Sequence, residues 1–240
     1  MPGTASRRVE KPNHRIRIGT PTFAPQARDS WTFPVGLLIF WFVFSGPPVR
    51  ELAGFDLRFG IDGPSSSNLW KFFGSLLLLA LVMWWERRTL ASLLITKPSG
   101  KDIEWAFYVF GGVMAWSWIA TLIAPQEENA GVEIIVNTGV SGVLLLILTA
   151  AITEEIAFRG YLQERLGSLV RSRWIGAAVS LSIFISPHIA FFGPSWLLHQ
   201  LVGSLALVAF TLIRRNLVAT MFLHLLINTP ILIPTVLAKL

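Results

Sequence analysis

Three residue pairs, five of their six members polar, break into the apolar C-terminal half of this 240-residue chain. Glu154 and Glu155 stand side by side in GVLLLILTAAITEEIAFRGYLQERL, with Arg159 following. Phe184 and His188 lie four apart in SLSIFISPHIAFF, and His224 and Asn228 lie four apart in ATMFLHLLINTP. A carboxylate beside an imidazole is the pairing that takes a proton from water, and imidazole and amide N–H groups on one helix face can receive a developing oxyanion. Hydrolysis of an acyl or peptide bond needs those parts. Glu155 and Arg159, at i and i+4, share a face and form a ready ion pair, whereas Glu154 points about 100° away. The expectation is that one carboxylate is matched and the other, Glu154, is left free for chemistry. Burial would make it a better base, with His188 sharing or relaying the proton.

The elements that carry these residues are set by composition. The chain is 53% hydrophobic and 14% charged, with a mean hydropathy of +0.59, a balance that makes the bilayer its expected solvent. It has no cysteine, which excludes disulfides, thiolate metal sites and a cysteine nucleophile. The net charge of +6 comes from clusters at the ends of apolar runs, the pattern of membrane topology and not of a nucleic-acid surface, so no nucleic-acid partner is expected.

Seven apolar segments are predicted as spans: 31–44, 69–85, 105–124, 140–162, 174–192, 195–213 and 217–237. The first is short, and Pro230 and Pro234 should kink or end the last. The predicted fold is an all-α polytopic bundle. It is divided into a basic tail over 1–30, three N-terminal spans over 31–136 and a core of four spans over 137–240. The tail, with Arg7, Arg8, Lys11, Arg15, Arg17 and Arg28, shows no apolar period and reads as disordered and cytosolic, with a transit peptide as the alternative. Lys and Arg then alternate by loop: Arg87, Arg88, Lys97 and Lys101 on one side, none in 126–137, Arg165, Arg171 and Arg173, none near Gly193, and Arg214 with Arg215. Seven spans with a cytoplasmic N-terminus fit that alternation, the loop with Arg50 and Arg58 fitting it least.

Charged groups inside a membrane cost about 2.5–3.5 kcal/mol each even on the lenient insertion scale, so both glutamates should face protein or water. Helical rise gives roughly 16 Å from Arg165 to Glu154, roughly 22 Å from Arg173 to His188 and roughly 13 Å from Arg215 to His224. The three groups can therefore meet near mid-membrane. The structural alternative is that the acids are interfacial charges and each histidine a satisfied contact between helices. His199, near the outer end of the sixth segment beside Gln200, is expected to be such a polar contact at the membrane surface. Gly203 and Ser204 are expected to permit close packing, and Trp84, Trp85, Trp105, Trp174 and Trp196 to anchor span ends at the interface.

Glu154, Glu155 and Arg159 spell EExxxR, Phe184 and His188 spell FxxxH, and His224 and Asn228 spell HxxxN. All three motifs, complete and in order over about 100 residues, resemble the CPBP family of intramembrane proteases, also called the ABI or type II CAAX prenyl endopeptidase family. The resemblance implies an endopeptidase acting on a membrane-associated peptide or protein within the lipid bilayer, as a multi-pass protein of a prokaryotic inner membrane. It implies that Glu154 and His188 activate water, that Glu155 and Arg159 hold the site, and that His224 and Asn228 stabilise the oxyanion. Phe184 is then a substrate-binding position. A glutamic mechanism without a metal is favoured over zinc, because Asn228 suits a donor role better than a metal ligand. Zinc remains the alternative, with Glu154, Glu155, His188 and His224 as its candidate ligands. The competing functions are a non-proteolytic immunity or scaffold protein retaining the fold, and a proton-coupled transporter using the same acids.

Overall fold

The computed structural model describes residues 29–44, 64–125 and 130–237. Of the expected basic tail over 1–30, residues 1–28 lie outside the described residues, as does the loop with Arg50 and Arg58. What is described is 88% helical without a strand, which places the chain in the all-α class.

Helix α1 (Asp29–Phe44) is followed by α2 (Pro64–Ala80), which runs on as a π-helical turn over Leu81–Trp85, and by a 3-10 turn at Leu90–Leu93. Helix α3 (Gly100–Ile123) starts on a capping box: Ser99 Oγ accepts from the Asp102 amide at 3.2 Å, and Asp102 Oδ2 accepts from the Ser99 amide at 2.7 Å. A short helix α4 (Ala130–Asn137) precedes α5 (Gly139–Glu154), which passes into a π-helix over Glu155–Gln163 and then into α6 (Glu164–Leu169). Helices α7 (Arg173–Phe192), α8 (Trp196–Arg214) and α9 (Leu217–Asn228) complete the core, with a 3-10 turn at Thr229–Ile231 and α10 (Leu232–Leu237) beyond it. Helix α4 falls within 126–137, a stretch expected to be a loop between spans. Pro230 and Pro234 do break the last segment, as expected from the lost backbone donor.

Five helices are long and apolar enough to cross a membrane: Gly100–Ile123, Gly139–Leu169, Arg173–Phe192, Trp196–Arg214 and Leu217–Leu237. Trp31–Trp41 and Trp70–Trp85 are shorter apolar helices, so the expected count of seven spans is not established. The chain is a multi-pass membrane protein, and its faces are sorted accordingly. Trp118, Leu122, Ile123, Leu148 and Ile183 are exposed, while the long Gly139–Leu169 element sits centrally, 56% of its apolar window buried against 17% for α3.

The π-helix begins at Glu155, within the doublet of acids. Every residue from Glu155 to Gln163 is buried, with α7 and α9 packed on it. Close approach is built into glycine positions. A Cβ on Gly176 would stand 2.5 Å from the Gly167 nitrogen and 2.6 Å from the Gln163 carbonyl oxygen, so α7 and the end of the π-helix touch backbone to backbone. Around Phe158 and Tyr161 the core gathers Phe33, Phe40, Leu78, Val82, Phe184 and Trp196 from α1, α2, α7 and α8.

One end of the bundle is tied by three ion pairs, one of them buried. Arg165, read from sequence as a cytosolic flank, is buried and bonded to Glu86. Arg215 makes a two-pronged contact with Glu164, 2.7 and 2.6 Å, and Arg214 reaches Asp102. Arg215 has φ 52, and this left-handed residue ends α8, after which Asn216 caps α9 by accepting from the Ala219 amide at 2.9 Å.

Candidate functional site

The two adjacent glutamates are held by different cations. Glu155 is fully buried, and its Oε1 takes both Arg159 Nη1 at 3.1 Å and His224 Nδ1 at 2.7 Å. The i, i+4 pair expected from sequence is present, and His224 joins it from α9. A carboxylate facing a guanidinium accepts only, so His224 Nδ1 carries the hydrogen and Nε2 is left for other partners. The Arg159 guanidinium lies over the Phe184 ring at 4.3 Å, a cation–π contact away from water.

Glu154 departs from expectation. It does not stand free: Lys71 of α2 places Nζ 2.8 Å from its Oε1. An i, i+4 argument along one helix has no access to a partner 83 residues away. Glu154 Oε2 has no hydrogen-bond partner among the described residues, and the Glu154 side chain keeps 8% of its surface exposed where that of Glu155 keeps none. His188, His224 and Lys71 all lie close enough to Glu154 to act on its charge, and His188 lies within the same range of Lys71 and His224. Glu154 from α5, Glu155 from the start of the π-helix, His188 from α7 and His224 from α9 thus converge.

His188 is oriented from both sides. Its Nδ1 donates to the Phe184 carbonyl oxygen at 2.7 Å, which leaves Nε2 as the open ring nitrogen. Its ring packs on Phe184 at 4.4 Å and stacks on Trp196 at 5.0 Å. Phe184 itself is buried, touching Arg159, His188 and Phe158. Asn228, one turn beyond His224, is half-buried at the end of α9 and has no hydrogen-bond partner among the described residues. No group of three or more His, Cys, Asp or Glu with metal-holding geometry occurs among the described residues.

Residues 136–230 match the type II CAAX prenyl endopeptidase Rce1-like family. This is the family that the three motifs resemble. No curated protein and no solved structure matches the chain. The matched segment contains all six residues of the polar constellation and Phe184.

Lys71 and Trp196 were missed as site residues. Lys71 had a readable signal, being the one charged residue in the apolar run 69–85, and an ionisable residue inside a span is a functional candidate by default. Trp196 was read as an interface anchor. It is 7% exposed because Gly193, with φ 83, ends α7 and turns the chain so that the start of α8 folds back on His188. Trp84, Trp85, Trp105 and Trp174 are exposed, as anchors would be. His199 is buried and not at the surface, because the start of α8 is packed against α3, where Trp116 Nε1 donates to the Leu198 carbonyl at 2.9 Å.

Proposed function

We propose that the chain is an intramembrane endopeptidase of glutamic type that cleaves a membrane-associated peptide or protein. The observation that carries this reading is the convergence of Glu154, with an open Oε2, and His188, with an open Nε2, beside the Glu155–His224 pair. A water between Glu154 and His188 gives its proton to Glu154 as its oxygen bonds to the scissile carbonyl carbon. The carbonyl oxygen becomes an oxyanion facing His224 Nε2 and the Asn228 amide, where Nε2 must carry a hydrogen to donate. Collapse breaks the C–N bond, and the proton held by Glu154 passes to the leaving amine.

Arg159 and Phe184 act on this chemistry at one remove, Arg159 by fixing Glu155 and Phe184 by fixing both Arg159 and His188. The Lys and Arg pattern supports a cytoplasmic N-terminus. The test is cleavage by the full chain in liposomes: Glu154→Gln and His188→Ala should each abolish turnover while the variants still insert. Unchanged cleavage by Glu154→Gln contradicts the assignment.

A further inference from the structure

The cation on Glu154 comes from outside the family-matched segment. Lys71 lies on α2 near the start of the apolar run 69–85, about 21 Å of helical rise from Trp85 at the end of the π-helical turn. Its side chain is 23% exposed and that of Glu154 8%, so the pair borders an opening and is not sealed in the core. The register of α2 against α5 is fixed one turn further along, where Ser75 Oγ donates to the Thr153 carbonyl at 3.5 Å. Trp70, next to Lys71, is buried.

We propose that Lys71 is a positioning residue for Glu154. By holding Oε1 it fixes the rotation of the carboxylate and leaves Oε2, the open oxygen, directed at the reacting water. It also supplies the charge that lets an acid remain ionised within the membrane, where an isolated charge is costly. The N-terminal helices thereby complete the site and are not merely a membrane anchor for it. A lysine that only neutralised charge could be replaced by any arrangement that inserts, whereas a positioning lysine must be present at the transition state.

This inference rests on the peptidase reading, and its test separates the two. Peptide termini present in cells with wild-type protein and absent with Glu154→Gln define the cleavage junctions. The reconstituted full chain is then assayed on a synthetic peptide spanning one such junction. Lys71→Met should lower kcat roughly 10²-fold with KM held within about threefold, and Lys71→Arg should regain most of the loss. Lys71→Met should also lower the unfolding temperature in the wild-type background but not in the Glu154→Gln background, a readout that needs no activity. Should Lys71→Met fail to insert, Lys71→Gln carries the same comparisons. Cleavage by Lys71→Met at the wild-type kcat overturns the proposal, as does faster cleavage, which would make Lys71 a lock. Equal loss of unfolding temperature in both backgrounds also overturns it. If Glu154→Gln removes no termini, the peptidase reading falls and this one with it.

Discussion

Nδ1 of His224 stands 2.7 Å from Oε1 of Glu155, an oxygen that Arg159 also approaches at 3.1 Å. That contact divides the adjacent glutamates. Glu155 is committed to ordering His224 and Arg159, and Glu154, paired through one oxygen with Lys71, keeps the other open.

Removing Arg159 leaves the Glu155 carboxylate buried with less compensation. Arg159→Met should cost about 3–5 kcal/mol of stability, and the combined Glu155→Leu/Arg159→Met variant should recover much of it because no lone charge remains. Thermal unfolding in detergent micelles measures both. Equal instability of the single and double variants contradicts the pairing.

His188 should be needed for its open nitrogen. His188→Ala should lower kcat by about 10²–10⁴-fold, the usual contribution of a positioned acid–base group. Trp196→Phe, which keeps a ring against His188, should retain most of the activity that Trp196→Ala loses. Steady-state rates at matched protein amount check the order of the three.

Backbone contact at Gly176 should make it intolerant of a methyl group. Gly176→Ala should cost about 1–3 kcal/mol, because the atoms it meets are backbone and do not yield. Gly111→Ala, in the interior of α3 with nothing within 4 Å, is the control and should hold or raise the unfolding temperature.

A glutamic mechanism predicts that cleavage persists after treatment with a strong chelator and is not raised by added zinc. Loss of activity on chelation, restored by zinc alone, would assign the glutamates and histidines to a metal instead.

Much of the site was legible because its parts are errors by the rules of membrane sequences. Glu154, Glu155, His188 and His224 have no place in lipid, and their helical spacing was enough to foresee the Glu155–Arg159 pair. The spans were legible for the same reason, as runs of apolar residues bounded by charge. Two kinds of feature were not. Contacts between distant helices, such as Lys71 with Glu154 or Arg165 with Glu86, depend on how α2 packs on the central element, which no local pattern encodes. The π-helix from Glu155 to Gln163 has no compositional mark either, since a wider turn uses the same residues as an α-helix. Trp196 misled because a tryptophan at a span end fits the interface equally well, and only the turn at Gly193 brings it onto His188.

Whether Glu154 performs proteolysis in the membrane is decided by comparing peptide termini in cells carrying wild-type or Glu154→Gln protein at equal membrane abundance. A defined set of termini, from membrane-associated or secreted proteins, should appear with wild type and vanish with Glu154→Gln. Identical termini in the two cell populations would contradict it.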